Sequence, residues 1–228
     1  MENFNKEYLK EKPLTERVFH EYCDGWVLER LDERKAHIPR FVLDVGGGDG
    51  RLTRKLSGIG WKVYYNDVSV SLCQSFRERT KGQIEVIQGD VREIEIPDDV
   101  DSVVFSFGVL NFTHLKVLDR FKKKLILGWV SNNNSLEWLI KHGNGDITDY
   151  EVISKEQYGE VIRGSIRNYS YAELKEVFDE VLPFPTYLFL PDWKKESEKR
   201  VYKKLITLDL MFPNKELCSG FLVIRERR

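Results

Sequence analysis

Between Thr15 and Leu31 the apolar residues Val18, Phe19, Tyr22, Cys23, Trp26, Val27 and Leu31 recur at helical spacing, with Thr15 placed as an N-cap. The pattern predicts an amphipathic helix ahead of the main fold, weakened slightly by Gly25 in its interior. After Pro39 the period changes. Phe41 to Val45 is a short apolar run stopped by glycines, and Leu52 and Leu56 then resume an i, i+4 spacing, which reads strand, glycine turn, helix. The motif continues with a strand at Trp61 to Asn66, a helix capped by Ser69 and carrying Leu72 and Phe76, and strands at Ile84 to Ile87 and Val100 to Phe107. Helical Leu115, Leu118 and Phe121 lead into a fifth strand, Leu125 to Val130. Strands alternating with helices at this spacing imply a parallel sheet covered on both faces.

The last third reads differently. Leu174, Val177 and Phe178 predict a short amphipathic helix, Thr186 to Leu190 and Gly220 to Ile224 predict strands, and a charged helix runs from about Lys194 to Leu210 between them. Asn132 to Asp146, with three consecutive Asn and a Gly-Asn-Gly, reads as a loop.

Composition narrows the function classes. In 228 residues, 41% hydrophobic and 32% charged positions suffice for a core, and thirty-six Lys and Arg against thirty-seven Asp and Glu leave a net charge of −1. No global positive field draws nucleic acid or anionic lipid. Cys23, Cys73 and Cys218 show no CxxC spacing, so neither a disulfide framework nor a metal site is expected. No charged leader precedes an apolar stretch and no run reaches the ~18 to 20 apolar residues that span a bilayer, so a soluble cytoplasmic chain is expected.

The candidate chemistry sits after the first strand, in Asp44-Val45-Gly46-Gly47-Gly48-Asp49-Gly50. Glycines there allow a sharp turn and a close approach of ligand to main chain. A dinucleotide fingerprint would need glycine or alanine where Arg51 stands, so the register is wrong for NAD. A carboxylate at Asp44, aimed into the cleft, would repel a pyrophosphate and suit ammonium or sulfonium charge. Asp67 ends the second strand, where a carboxylate can accept from both ribose hydroxyls, and Asp90, in Gly89-Asp90-Val91 after the third, can accept from an adenine amino group. The ligand implied is an adenosine with a cationic amino-acid tail.

These residues resemble the class I S-adenosylmethionine-dependent methyltransferases. The likeness covers roughly Phe41 to Val130 in motifs and reaches the chain end in topology, where Gly220 to Ile224 suits the antiparallel strand that closes this family's sheet. It implies an α/β fold: a Rossmann-like seven-stranded, mostly parallel sheet with one antiparallel strand and helices on both faces. Residues 1–38 would form an N-terminal helical cap and 39–228 the cofactor-binding domain, with 132–170 an inserted substrate lid. The resemblance implies S-adenosylmethionine as cofactor, its methionine end on Asp44, Gly46, Gly47, Gly48 and Gly50, its ribose on Asp67 and Val68, and its adenine on Asp90 and Val91. Phe107 and Gly108 would lie beside the transferable methyl.

Methyl transfer from a sulfonium needs alignment, exclusion of water and sometimes loss of one proton. Phe107-Gly108-Val109-Leu110-Asn111-Phe112 carries neither the (D/N)PP(Y/F) of base amino-methyltransferases nor a Pro-Cys nucleophile. A small-molecule O or N acceptor is therefore expected. Asn111 and His114 are the candidate catalytic residues, His114 because imidazole titrates near neutrality. Tyr22, Trp26, Arg163, Arg167 and Tyr169 are candidate acceptor-binding residues, offering aromatic and cationic surface to a flat or anionic molecule. Lys194, Lys195, Lys199, Arg200, Lys203 and Lys204 alternate with Glu196 and Glu198 and read as a solvated helix face. The alternatives are an RNA or protein methyltransferase, or a non-catalytic cofactor-binding subunit. A homodimer is compatible with each.

Overall fold

The computed structural model describes residues 14–34, 40–106, 108–132, 149–154, 162–184, 218 and 220–226. Helix α1 (Leu14–Arg34) precedes strand β1 (Phe41–Val45), α2 (Arg51–Gly58), β2 (Lys62–Asp67), α3 (Val70–Thr80), β3 (Glu85–Gln88) and β4 (Ser102–Phe105). Then come α4 (Val109–Thr113), a 3-10 segment (Leu115–Phe121), β5 (Leu125–Ser131), β6 (Asp149–Ser154), β7 (Ile162–Arg167), α5 (Tyr171–Val177), β8 (Glu180–Phe184) and β9 (Gly220–Arg225).

Seven strands form one sheet in the order β3-β2-β1-β4-β5-β9-β8, and β6 and β7 form a separate antiparallel pair. Only β9 runs against its neighbours β5 and β8, so the mixed sheet expected from the sequence is the one observed. The chain steps outward from β1 through β2 to β3, then crosses to β4 on the other side of β1. That reversal opens a crevice at the carboxyl end of β1, where ligands of open α/β sheets bind.

Alternation along the strands divides the core in two. Leu43, Val45, Val103, Phe105, Ile126 and Val223 face one side and pack with Leu110, Leu118, Phe121, Tyr169, Leu174 and Phe178. Val42, Val63, Val104, Leu125, Leu127 and Ile224 face the other and pack with Val27 and Leu31 of α1 and Leu52 and Leu56 of α2. The N-terminal helix thus shares its core with the sheet. Buried Asp24 fixes it to α2 through ion pairs with Arg51 and with Lys55 at 2.6 Å, and Arg34 fixes its far end to Glu226 at 2.6 Å. Among the described residues no helix is long and apolar enough to cross a membrane.

Several boundaries differ from expectation. Thr15 lies inside α1 rather than capping it, and Phe178 lies just past α5. The segment with Leu115, Leu118 and Phe121 is 3-10 rather than α-helical. The sixth strand of the sheet is Glu180–Phe184, whereas 186–190 and the charged stretch 194–210 lie outside the described residues. Pro183 within this strand argues against a central position, and β8 is an edge, where a missing N–H costs nothing. The expected lid contains the β6–β7 hairpin, and the chain leaves the sheet and rejoins it at neighbouring backbone, Asn132 bridging Tyr169.

Candidate functional site

The glycine turn is built by backbone that only glycine adopts freely: Gly46, Gly48 and Gly50 have φ of 69°, 56° and 72°. Gly50 N donates to Gly47 O at 2.8 Å, closing the turn, and Gly47 N donates to Asn66 O at 2.9 Å, tying it to β2. Gly50 then serves as the N-cap of α2.

Asp44 lies beneath this turn. Sequence reading aimed its carboxylate into the cleft; in the structure the residue is fully buried, with Oδ2 accepting from Thr53 Oγ1 at 2.5 Å and Oδ1 from Ser106 Oγ at 2.7 Å. The reason is the strand period. Val45 turns to the opposite core, so Asp44 turns sideways under α2 rather than upward. Burial pushes its pKa up to about 6; the Thr53 and Ser106 hydroxyls pull it down, Asp24 adds to the rise and Arg51 opposes it.

Asp67, at the end of β2, is joined to the same turn. Its Oδ2 accepts from Gly48 N at 3.0 Å and its Oδ1 from Ser69 N at 2.9 Å. Burial raises its pKa, against the pull of the backbone amides of Ser69, Gly48 and Val68. Each carboxylate oxygen keeps a further lone pair. Beside it, Val68 and Val70 are 44% and 47% exposed, and Phe112, whose ring lies 3.9 Å from where a Cβ on Gly108 would stand, is 40% exposed. Two of the four large exposed hydrophobics among the described residues, Val68 and Val70, thus follow Asp67 directly in the chain, while Ile59 follows α2.

Asp90 is not open as expected. Arg92, two residues on, grips its carboxylate sideways, Nε lying 2.9 and 3.0 Å from the two oxygens, while Arg92 N donates to Oδ1 at 2.8 Å. The Arg92 side chain holds the Asp90 pKa below its usual value. Val91 points into the core and its carbonyl accepts from Arg120. Asn66, which sequence reading passed over, donates to Ile87 O and Gly89 O at 2.8 and 3.0 Å and so fixes the end of β3.

The expected catalytic pair divides. Asn111 is buried, donating from Nδ2 to Arg167 O at 2.6 Å and accepting from Ser131 N at Oδ1 at 3.0 Å. It is a stitch between α4, β5 and β7, and its amide is committed to backbone. His114 joins α4 to the 3-10 segment at φ 60° and ψ 158°, a conformation costing a non-glycine residue about 1–3 kcal/mol. Of the acceptor candidates, Tyr22 and Trp26 line a groove of about 540 Å³ between α1 and the β8–β9 end of the sheet, with Phe184 and Leu222 opposite. Tyr169 is instead a core residue whose hydroxyl accepts from Leu115 N at 3.2 Å. Arg167 stacks on Tyr169 and pairs with Glu173 at 2.9 Å. The Arg163 side chain and Phe107 lie outside the described residues, while Gly108, at φ 76°, is the N-cap of α4.

Residues 42–126 match a family model described as a methyltransferase domain. Over 112 residues the chain is 33% identical to the ubiquinone/menaquinone biosynthesis C-methyltransferase UbiE of Pseudomonas savastanoi pv. phaseolicola, 42% of this chain and 44% of that one. The chain thus spans less than half the length of the curated relatives it matches. Among solved structures, a S-adenosylmethionine-dependent methyltransferase from Clostridium acetobutylicum superposes with a TM-score of 0.55 at 10% identity, over 90% of this chain and 91% of that one. The 1,6-didemethyltoxoflavin-N1-methyltransferase of Burkholderia thailandensis does so with 0.53 at 15% identity, over 90% and 77%. At these identities the likeness is one of fold.

Proposed function

We propose that the chain is a class I S-adenosylmethionine-dependent methyltransferase, a reading supported by the match of residues 42–126 to a methyltransferase domain, and that it transfers a methyl group from that cofactor to an O or N atom of a small molecule. One observation carries the reading: Asp44, Asp67 and Asp90 stand at the carboxyl ends of three adjacent strands around a left-handed glycine turn, with exposed valines beside the middle one. A polar diol acceptor flanked by bare apolar surface suits a nucleoside, whose ribose and base need both.

In this reading Asp67 accepts from the ribose hydroxyls through its remaining lone pairs and Val68 covers a face of the adenine. Asp90 takes the adenine amino group only by giving up part of the Arg92 grip on its oxygens, and the glycine turn lies along the methionine tail. Buried Asp44 favours positive charge above the turn without touching it. Bound there, S-adenosylmethionine supplies an electrophilic methyl on a sulfonium. Phe112 and Gly108 border the path of the acceptor. An O or N nucleophile brings its own lone pair and can release its proton to water afterwards, which agrees with Asn111 being committed to backbone. The curated relatives are named C-methyltransferases, and a carbon acceptor is the competing reading. Product NMR on a methylated acceptor separates the two. The three free cysteines suit a reducing compartment, the cytoplasm.

The test is calorimetric titration with S-adenosylmethionine, S-adenosylhomocysteine and NAD. The first two are expected to bind and NAD is not. Asp67→Ala is expected to weaken S-adenosylhomocysteine by roughly tenfold or more, the worth of a charge-assisted hydrogen bond, with the chain still folded by circular dichroism. No binding of either adenosyl compound to the wild-type chain would remove the proposal.

A further inference from the structure

Tyr65 stands in the middle of β2, one residue from the Asn66–Asp67 pair, and is fully buried. Its ring stacks on Phe76 of α3 with centroids 4.2 Å apart and planes 11° from parallel. The glycine turn lies directly on these two rings. A Cβ on Gly47 would stand 2.6 Å from Tyr65 Cε2, and one on Gly50 would stand 1.9 Å from Phe76 Cε2. Two of the turn's glycines are thus required by the protein's own aromatic platform, with no ligand involved.

The platform also carries one polar atom. Tyr65 Oη donates to Gly48 O at 2.6 Å in a buried setting, while Gly48 N donates to Asp67 Oδ2 at 3.0 Å. The single residue Gly48 is therefore held at both ends, its carbonyl by a phenol from below and its amide by the carboxylate at the end of β2. At φ 56° glycine has wide conformational freedom, so these two bonds rather than sterics fix which way its peptide groups point. Releasing the carbonyl lets the turn shift about Gly48, and Asp67 then loses one of the two backbone donors, Gly48 N and Ser69 N, that together orient it.

We infer that Tyr65 is a positioning residue: its hydroxyl, by holding the Gly48 carbonyl, sets the glycine turn and the Asp67 carboxylate in the geometry that receives the nucleoside. The inference rests on the adenosyl-cofactor reading above and adds a residue that touches neither cofactor nor acceptor. Removing the hydroxyl alone preserves the ring stack, so the loss falls on orientation.

The experiment uses the full chain as wild type, Tyr65→Phe and Phe121→Leu. Phe121 is fully buried in the core on the other face of the sheet, edge-on to Phe105, and serves as a purely structural comparison. For each chain the thermal midpoint, the dissociation constant for S-adenosylhomocysteine and the hydrogen exchange of amides in the glycine turn are measured, with titrations well below the midpoint. Tyr65→Phe is expected to bind roughly tenfold more weakly and to exchange faster across residues 46–50. Phe121→Leu is expected to lose thermal stability yet bind within twofold of wild type. Wild-type affinity in Tyr65→Phe overturns the inference while leaving the cofactor reading in place. Equal weakening in both variants overturns it too, since affinity would then merely follow stability. A Tyr65→Phe chain that does not fold makes the phenol a folding element and rejects the positioning role. If the wild-type chain binds no S-adenosylhomocysteine, the cofactor reading fails first and the inference falls with it.

Discussion

Gly50→Ala is expected to lower the thermal midpoint by about 10 °C and to remove cofactor binding at temperatures where the wild-type chain is folded. Two costs add. At φ 72° an alanine sits in the left-handed region, at about 1–2 kcal/mol. Its Cβ would also lie 1.9, 2.3 and 3.0 Å from Cε2, Cδ2 and Cζ of Phe76. Stacked on Tyr65, that ring has no free side to retreat to, and forced overpacking costs about 1–3 kcal/mol. Together they remove roughly 2–5 kcal/mol from a stability usually near 5–15, at about 2–4 °C per kcal/mol for a chain of this size. Gly25→Ala is the contrast: a Cβ there meets nothing within 4 Å, and alanine in the interior of α1 is expected to stabilise by up to about 1 kcal/mol. Adding Phe76→Leu to Gly50→Ala should return part of the loss, so the two changes are coupled rather than additive. A wild-type midpoint in Gly50→Ala would show that the turn is not laid on the rings as described.

The parts of this fold that could be read from sequence are those in which local pattern and tertiary demand agree. β1, β4 and β5 are buried on both faces and so appear as mostly apolar runs, broken inside β1 by Asp44. β8 has no such clean pattern, since Pro183 reads against a sheet, a rule that does not hold at an edge. The hairpin of β6 and β7 has no such run, with Asp149, Glu151, Arg163 and Arg167 breaking it.

In the candidate site, three carboxylates and the glycines were legible from spacing, but their directions were not. Strand alternation could have told that Asp44 shares a face with Val42, away from Leu43 and Val45. The Arg92 grip on Asp90 was also within reach, since the two are only two residues apart. Asn111 bonding Arg167 O and Tyr169 receiving Leu115 N join residues more than fifty positions apart, and no local pattern carries that information. Polar Thr53 on the inner face of α2 and Asn66 within an apolar strand were the signals for the hidden hydrogen bonds: each breaks a period where only a partner could justify it.

Asp44→Asn is expected to stabilise the ligand-free chain at pH 8 while weakening its hold on S-adenosylmethionine. Burial raises the folded-state pKa of Asp44 from an ordinary 3.8 to about 6. A carboxyl so raised favours the folded state in full below pH 3.8, and that contribution is lost as pH climbs through 6. Above pH 6 the folded chain therefore carries a buried charge at a cost of about 3 kcal/mol. Asparagine removes the charge and can still accept from one of the Thr53 and Ser106 hydroxyls while the other turns to receive its amide. The expected gain is about 1–3 kcal/mol at pH 8, a rise of several degrees in thermal midpoint, shrinking steadily below pH 6. Binding moves the other way. A ligand bearing sulfonium charge is favoured by the ionised carboxylate, so wild-type affinity is expected to rise with pH up to about 6 and then level, with one proton released per ligand on the acid side. In Asp44→Asn the affinity for S-adenosylmethionine should fall roughly tenfold, as a buried charge pair at moderate separation would give. S-adenosylhomocysteine, which lacks the sulfonium, should lose less, and the acid limb of the curve should flatten. An Asp44→Asn chain that is more stable at pH 8 yet binds S-adenosylmethionine as tightly as wild type would reduce the carboxylate to an acceptor for two hydroxyls. A chain both less stable and weaker in binding would mean that the hydrogen bonds outweigh the cost of the buried charge.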